Sequence, residues 1–548
     1  MPHEIADPSR RLPKLAPQTR LVIVFGDQLD LESALVRSIR PEDTVLMMEV
    51  AGESRHVPSH VQRTALFLSA MRHFAAELTR RKIRVRYIAL DDPANTGAFE
   101  TEIARAAAEL KPAQIACTVP GEWRVLAMLE RIRDATGIAL TVMPDEHFLT
   151  TPEEFAAWAD GRSSLTMEFF YREQRRKTGY LMEGGSAGKG KTAKPIGGVW
   201  NFDKENRLPF GKTGPDPRPR PPLSFAPDET IRSVLGAMRR VLPELPGHAE
   251  SFAWPVTRAQ ALEALDDFIT HRLAAFGPFE DAMWTGEPTL YHSTLSGALN
   301  LKLLNPRECC ERAVAAYHAG KAPLQSVEAF VRQIIGWREF IRGVYWLEGP
   351  AYAERNGLDQ RGALPDFYWN ADTDMACMKA CIGQVIETGF GHHIQRLMVT
   401  GNFALISGVH PRAVSDWYLG MFIDGVDWVT LPNALGMVMH ADRRRDAAKG
   451  VSGLVGTKPY AASGKYIERM SNYCTQCRYD PAERSGASAC PFTVFYWDFL
   501  IRMRERLADN QRMAMILKNV DRLAPQARVQ ITIDAELLRK KLGISAAP

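Results

Sequence analysis

The sequence predicts a two-part chain. An open parallel α/β sheet occupies the first 150 residues, and a long connection joins it to an all-helical part ending in a cysteine-rich site. Three observations carry this. Short apolar runs alternate with helix-period segments between Leu21 and Met143; from about Val256 the pattern turns helical and rich in tryptophan; and Cys474-x2-Cys477-x12-Cys490 crowds three of only eight cysteines into one short stretch. At 548 residues the chain is long enough for two or three domains with large cores. A net charge of +4 is weakly basic, so any nucleic-acid surface must come from local clustering. No apolar run reaches membrane-spanning length, and the first twenty residues, with Pro2, Pro8, Pro13 and Pro17 among charges, lack a signal core. So few cysteines argue against a secreted disulfide framework. A cytoplasmic protein with no membrane association is expected.

Leu21-Val22-Ile23-Val24-Phe25, stopped by Gly26-Asp27, reads as a strand buried on both faces. Thr44 to Val50, Ile83 to Leu90, Gln114 to Val119 and Ala139 to Met143 are further strand candidates. Between them, Val61 to Arg81 sets Leu68, Met71, Phe74, Ala75 and Leu78 at helical spacing, and Glu100 to Leu110 and Glu122 to Ala135 are also helix-like. Repeated β-α-β units of this length form parallel sheets that bind ligands beyond the carboxyl ends of their strands. Asp27 and Gln28 after the first strand, with Glu49 and Glu53 after the second, occupy that edge as candidate pocket residues. Charged loop residues there are also often only solvated.

From 151 to 250 the character changes. Leu165 to Lys177 reads as a helix carrying Arg172, Arg175, Arg176 and Lys177, and the Gly/Lys/Pro-rich stretch from Gly184 to Pro222 reads as a long surface connection. It contains a phosphate-loop pattern, Gly185 to Thr192. That chemistry needs a strand before the loop and a helix after it. Here a charged helical segment precedes, and Pro195 and Gly197-Gly198 follow, so a nucleotide triphosphatase is rejected.

Ala261 to Leu273, Val327 to Leu347 and Met378 to Glu387 are strong helix candidates, and Val520 to Pro548 reads as a terminal helix with basic Arg539-Lys540-Lys541. Trp337, Trp346, Trp369, Trp417, Trp428 and Trp497 are expected mostly in the core. Cys474, Cys477 and Cys490 have the density of metal ligands and need a fourth from elsewhere. The spacing alone separates neither zinc from iron–sulfur nor either from reduced, buried thiols. Several segments place polar groups where a bulky anion would sit: Tyr291 to Gly297, Gln333 to Glu339, Gly391-His392-His393 to Arg396, Asp416-Trp417-Tyr418, and Asp424 to Trp428.

In this order the pieces resemble the photolyase/cryptochrome flavoprotein family, most closely its bacterial iron–sulfur branch of prokaryotic (6-4) photolyases and related cryptochromes. The resemblance runs from about Leu21 to Leu507 and rests on Gly26-Asp-Gln-Leu29, Pro120-Gly-Glu-Trp-Arg124, Ser164-Leu-Thr-Met-Glu168, Trp200-Asn-Phe-Asp203, His392-His-Ile-Gln-Arg396 and Lys458-Pro-Tyr-Ala-Ala-Ser-Gly464. It implies a Rossmann-like antenna domain over 19–150, a linker over 151–250, and an all-α FAD-binding domain over 251–548 that includes a [4Fe-4S] site. FAD is expected beside Thr294, Leu295, Ser296, Gln333 and Arg338, with Arg396 and Asp424 paired near the ring and Asp427 and Asn433 close by. Cys377 is implied as the fourth cluster ligand, and Trp417, Tyr418 and Trp369 as an electron relay. Asp27, Gln28, Glu49 and Glu53 are implied as the pocket for 6,7-dimethyl-8-ribityllumazine.

The implied function is light-driven repair of ultraviolet-damaged DNA, most of all the (6-4) photoproduct, by a monomer. His392 and His393 are the acid/base candidates, and Tyr460 lines the lesion pocket. The alternatives are a blue-light photoreceptor using the same flavin and relay, a cyclobutane-dimer photolyase, and a cluster-bearing nucleic-acid-binding protein without photochemistry. Two positions depart from the branch: His56 stands where an aromatic is expected near the antenna, and Thr430 where an acidic residue is common near the flavin. A charged insertion, Asp442 to Asp446 with Lys449, reads as a solvated loop, with DNA-backbone contact as its alternative.

Overall fold

A computed structural model describes residues 19–162, 165–184, 193–216, 218–446 and 450–544. The phosphate-loop pattern Gly185 to Thr192, Ser164, Lys449 and the four prolines before residue 19 lie outside the described residues.

Five parallel strands form the sheet: β1 (Arg20–Ile23), β2 (Thr44–Met48), β3 (Val85–Ile88), β4 (Gln114–Thr118) and β5 (Ala139–Met143), in the order β3-β2-β1-β4-β5. Helices α1 (Val61–Arg80), α2 (Phe99–Leu110) and α3 (Trp123–Thr136) make the crossovers. Alternation along β1 explains the two-sided burial. Leu21 and Ile23 face one core with Ile103, Ile115, Leu129 and Ile132 from α2, β4 and α3. Val22 and Val24 face the other with Leu66 and Phe74 of α1, and that second core runs on into the helical part of the chain. The strand order reverses between β1 and β4, which opens the crevice where doubly wound sheets bind ligands.

The 151–250 segment holds α4 (Pro152–Ala159), α5 (Met167–Thr178), where the sequence reads a helix from Leu165 to Lys177, and α6 (Glu229–Val241), and among the described residues no helix falls within Gly184 to Pro222. Phe155, Phe170 and Tyr171 are buried, and the Phe155 ring meets Phe340 at 5.7 Å. The amphipathic set Ile231, Val234 and Met238 seats α6 in the same core. Composition hides this because arginines and glycines dominate the segment while a few well-spaced apolar residues carry the packing.

The helical part includes α7 (Glu339–Glu348), α8 (Ala376–Thr388), α9 (Pro411–Met421), α10 (Pro491–Arg502) and α11 (Pro525–Lys541). Three stretches are wound as π-helix: Arg332–Arg338, Gln395–Gly401 and Asn433–Val438. Such wide turns are rare and concentrate at functional sites, and each carries or begins with a residue expected at the flavin. The charged insertion forms a hairpin, β6 (Arg443–Asp446) against β7 (Gly450–Gly453). Its first residue is neither a solvated charge nor a DNA contact: the buried Asp442 carboxylate accepts from the Tyr352 hydroxyl (3.0 Å) and from Leu454 and Val455 N–H (3.2 and 3.0 Å).

The sheet and the helices meet closely. His60 N–H donates to the Gly420 carbonyl at 2.9 Å, and a Cβ on Gly420 would lie 2.1 Å from the Pro58 carbonyl oxygen, so only glycine fits that crossing. Glu339 of α7 accepts Leu149 and Thr150 N–H at 3.0 and 2.9 Å. Among the described residues no helix is long and apolar enough to cross a membrane.

Candidate active site

At the carboxyl edge of the sheet, in the β1/β4 crevice, lies a cavity of about 120 Å3 lined by Asp27, Glu49, Glu53, His56, Arg63, Glu122, Arg124 and a floor of Phe25, Phe67, Met71 and Phe99. Gly121 makes the closest approach: a Cβ there would lie 2.5 Å from Asp27 Oδ2 and 3.1 Å from Trp428 Cδ1. Burial pushes Asp27 up to about 6. Arg124 donates to both Glu53 oxygens (2.9 and 2.7 Å) and to Glu122 (2.8 Å), bracing the mouth. Glu49 lines the cavity with its carboxylate already committed to Arg72 (2.7 and 2.8 Å), the Tyr87 hydroxyl (2.5 Å) and Leu90 N–H (2.7 Å). Gln28, expected in this pocket, is instead a brace under the sheet edge. It is buried, donates to the Thr118 and Val119 carbonyls (3.2 and 3.3 Å), and accepts from Phe25 N–H (3.4 Å).

In the helical part, Arg396 and Asp424 form a two-pronged ion pair, Nη1 to Oδ1 at 2.9 Å and Nη2 to Oδ2 at 3.1 Å. Burial alone would raise the Asp424 carboxyl; the Arg396 guanidinium and the Ser296 side chain hold it below its ordinary value. Arg396 Nε also donates to the Gly391 carbonyl (2.6 Å), and its guanidinium lies 3.9 Å over the Phe422 ring. Asp427, raised to about 7 by burial and by Glu122, accepts the Tyr345 hydroxyl at 2.7 Å, and Asn433 donates to the Val429 carbonyl at 2.8 Å. Thr294 holds φ at 58°, costly for a β-branched residue, ahead of Leu295 and the short helix Ser296–Asn300. Gln333 is exposed. Arg338 does not join the Arg396–Asp424 pair: its guanidinium sits over Phe148 (4.2 Å) and Trp428 (5.1 Å) and donates to His147 Nδ1 (3.1 Å).

His393 is exposed to the cleft, whereas His392 is buried with neither ring nitrogen hydrogen-bonded. The surrounding protein, by limiting hydration, and then Arg396 lower His393 from the ordinary imidazole value, and burial drives His392 well below it, so the His392 ring is neutral near pH 7. Tyr460 is partly exposed and faces the charges of Arg207, Asp203 and Arg512. Thr430 is buried, its N–H given to the Val426 carbonyl at 2.9 Å.

Behind the ion pair, Trp417 and Tyr418 of α9 lie 5.4 Å apart by ring centroids, and the Tyr418 hydroxyl donates to the Arg396 carbonyl at 2.7 Å. Trp417 donates from Nε1 to the Tyr368 carbonyl (3.1 Å) and meets the Tyr368 ring at 5.0 Å. Trp369, expected in the electron relay, is partly exposed to solvent next to Tyr368 along the chain. Among the described residues no ring contact joins it to Trp417 directly.

A second, much smaller cavity is walled by Cys377 from α8 together with Cys474, Cys477 and Cys490, with Tyr473, Ile467 and Phe492 also in its lining. Cys381, one turn further along α8, is not in its wall; its thiol pairs with the Tyr473 side chain. Among the described residues no three His, Cys, Asp or Glu side chains converge as a single-ion site.

The geometry is matched by relatedness along the whole chain. The sequence is 46% identical over 526 residues to a (6-4) photolyase of Agrobacterium fabrum, covering 96% of this chain and all of that protein. The chain belongs to the photolyase/cryptochrome family. A family model described as deoxyribodipyrimidine photo-lyase-related protein matches residues 22–254. In fold the chain is similar to a bacterial class III photolyase from Agrobacterium tumefaciens (TM-score 0.53, 15% identity, 97% of this chain and 100% of that one). It is likewise similar to a cryptochrome from Synechocystis (TM-score 0.53, 14% identity, 96% and 99%).

Within this photolyase/cryptochrome chain, three residues escaped the sequence reading. Tyr368 sits against Trp417 but is one of many tyrosines by composition. Arg63 lines the sheet-edge cavity from α1 while donating to the Gly425 carbonyl at 2.9 Å, a contact 362 residues away in sequence. His292 stacks on His392 from a segment whose hydroxyls drew attention instead.

Proposed function

We propose that the protein is a light-driven DNA repair enzyme that reverses the (6-4) photoproduct in ultraviolet-damaged DNA, acting as a cytoplasmic monomer. The observation that carries this reading is the identity along essentially the full chain with a relative named (6-4) photolyase. The division of labour we assign is an antenna unit at 19–150, a connecting segment at 151–250 and a catalytic unit at 251–548.

The residues assigned to FAD have the chemistry for it: a cation–carboxylate pair at Arg396 and Asp424, hydroxyls at Thr294 and Ser296, and the polar side chains of Asp427 and Asn433. Leu295 supplies backbone there, and Gln333 faces solvent at the same helical segment as Arg338. Bound in reduced form and excited by light, the flavin supplies the electron that starts reversal of the lesion. Four cysteine thiols around one small cavity are the ligand set of a [4Fe-4S] cluster, which we assign here on the resemblance to the iron–sulfur branch. The sheet-edge cavity has the apolar floor and polar mouth of a chromophore site, and we assign it to 6,7-dimethyl-8-ribityllumazine, with His56 replacing an aromatic wall.

The chain's own residues then act on the substrate. The damaged dinucleotide must leave the stack, at a cost of roughly a few kcal/mol that weakened pairing already reduces. Arg396 is held by Asp424, Gly391 and Phe422 and so presents a fixed positive charge beside the cleft. His393, open to the cleft, and His392 behind it offer ring nitrogens for the hydroxyl or amino group that must return between bases. We assign the electron relay to Trp417, Tyr418 and Tyr368, whose rings are in contact, with exposed Trp369 next to Tyr368 along the chain. The test is to illuminate reduced protein with a (6-4)-containing oligonucleotide and, separately, a cyclobutane-containing one, and to chromatograph the products. Restored (6-4) sites support the reading. Restored cyclobutane sites alone would assign the other lesion, and binding without conversion would assign a photoreceptor.

A further inference from the structure

Residues 454–462 form a strap that carries Tyr460, and buried polar side chains pin it at both ends. At its start, the Asp442 carboxylate takes Leu454 N–H on Oδ1 (3.2 Å) and Val455 N–H on Oδ2 (3.0 Å), and Oδ2 also accepts the Tyr352 hydroxyl (3.0 Å). At its end, Asn402 makes a two-way clip: Nδ2 donates to the Ala462 carbonyl at 2.9 Å and Oδ1 accepts Ala462 N–H at 3.0 Å. Between them, Asn510 Nδ2 donates to the Thr457 carbonyl at 3.0 Å. Two of these supports belong to the wide turns of the cleft. Asn402 directly follows the π-helix Gln395–Gly401, which contains Arg396. Asp442 is tied to the π-helix Asn433–Val438 through its neighbour Ala441, whose N–H donates to the Leu435 carbonyl at 2.7 Å.

The packing at Asp442 leaves no play. A Cβ on Gly436 would lie 2.5 Å from Asp442 Oδ2 and 2.7 Å from Val455 Cβ, so only glycine lets the carboxylate and the strap close on this helix. Two steps further, a Cβ on Gly456 would lie 3.3 Å from the Gly436 carbonyl oxygen and 3.6 Å from Tyr460 Cε2. Helix, strap and Tyr460 ring are thus in contact in that order. Three donors converge on two carboxylate oxygens that only accept, so the buried group is satisfied in its ionised form. Burial pushes the Asp442 carboxyl up, and the bonds from Val455, Tyr352 and Leu454 oppose that rise. The charged hairpin leaves and returns inside the same clip, because Arg443 of β6 pairs with Gly453 of β7 directly between Asp442 and Leu454. The carboxylate therefore closes the root of the hairpin and fixes the point from which the strap departs.

We propose that Asp442 is a positioning residue of the lesion site: by binding the strap at Leu454 and Val455 it sets where Tyr460 stands. This rests on the repair reading above, in which Tyr460 lines the lesion pocket. Asp442 is fully buried and acts through the strap.

The test uses the full-length flavin-loaded protein. Asp442→Asn is nearly isosteric, but in either orientation its NH2 faces a backbone N–H that has no other acceptor. Tyr352→Phe removes only the hydroxyl donor and leaves both backbone bonds. The first measurement, in the dark without DNA, is hydrogen exchange over 454–462. Exchange should be at least tenfold faster in Asp442→Asn and less affected in Tyr352→Phe; exchange at the wild-type rate in Asp442→Asn would overturn the proposal. The second is affinity for a (6-4)-containing duplex and for the same duplex undamaged, in wild type, Asp442→Asn, Tyr460→Ala and the double variant. Asp442→Asn should lose at least tenfold in lesion affinity, with affinity for undamaged duplex and flavin content unchanged, and should add nothing once Tyr460 is alanine. A merely structural role predicts losses that multiply in the double variant, and that result would refute positioning through Tyr460. If Asp442→Asn does not fold, Tyr352→Phe carries the same cycle with at least a threefold loss expected and multiplying losses again refuting it. A wild type with no preference for the (6-4) duplex would fail the repair reading itself, while the exchange measurement still decides whether Asp442 holds the strap.

Discussion

Replacing Asp424 with asparagine tests the electrostatic centre of the cleft with little change of shape. In the wild type this carboxylate takes two charge-assisted hydrogen bonds from Arg396 and one from the Ser296 side chain. The asparagine keeps one acceptor oxygen, but its NH2 is turned against a guanidinium that has only donors to offer. Breaking a buried pair costs about 3–5 kcal/mol. Arg396 retains some solvent contact and its bond to the Gly391 carbonyl, so the lower end, about 3 kcal/mol, is expected. At about 2.1 cal/mol/K of unfolding entropy per residue, a chain of 548 residues would shift its melting temperature by only ~3 °C if it unfolded as one unit. Denaturant titration of the apo-protein and the FAD-to-protein ratio after purification are therefore the better assays. Stability should fall by about 3 kcal/mol and flavin retention should fall with it. A variant within 0.5 kcal/mol of wild type (roughly the error of such titrations) that still holds stoichiometric flavin would refute the assignment of this pair to the flavin site.

Other outcomes follow from the same geometry. Trp417→Phe should slow photoreduction of oxidised flavin at least tenfold while leaving flavin bound, and Tyr368→Phe should slow it too if the path to Trp369 runs through that ring; unchanged photoreduction in both would remove them from the path. Cys377→Ser should lose iron by elemental analysis, whereas Cys381→Ser, outside the cavity wall, should keep it; equal iron loss would contradict the ligand set. The buried rings of His60, His292 and His440 are drawn down to about 4, 3 and 3, chiefly by burial, and His147 and His392 lie lower than ordinary for the same reason. Unfolded chains bind protons at these sites from about pH 6.5 downward while the folded chain does not. The contribution of these rings is thus complete above that value and is lost as pH falls toward 4, while the raised carboxyls of Asp27, Asp427 and Glu280, at about 6, 7 and 8, act in the opposite sense. Ring NMR that finds these histidines titrating near pH 6.5 in the folded protein would contradict this burial.

Much of the architecture was legible because one physical cause dominated. The strand Leu21 to Phe25 is continuous and apolar because both faces are covered, and the reversal of strand order put the cavity at the edge its loops had marked. The cysteine wall was legible in part from spacing, with Cys377 supplied by family resemblance. Where reading failed, long-range packing outweighed local pattern. Gln28 looks like a ligand-facing loop residue until the carbonyls of β4 claim its amide. Arg338 looks like a cofactor cation until Phe148 and Trp428 close around it. The helices Pro152–Ala159 and Glu229–Val241 hide because a few residues such as Phe155 and Ile231 bury themselves among many charges. The π-wound turns and the His292–His392 stack have no local signature, since each depends on partners far along the chain.

The central claim is that light drives repair of the (6-4) lesion at a histidine-lined cleft. The most direct measurement is conversion of a (6-4)-containing oligonucleotide under blue light and reducing conditions by wild type, His392→Ala and His393→Ala, with lesion binding and FAD content measured on the same samples. The account predicts that wild type restores the native dipyrimidine only in the light. His393→Ala should lose conversion and His392→Ala should fall by at least the hundredfold typical of a missing proton donor, while both still bind lesion and flavin. Near wild-type conversion by both variants, or a wild type that binds the lesion and leaves it intact in the light, would contradict it.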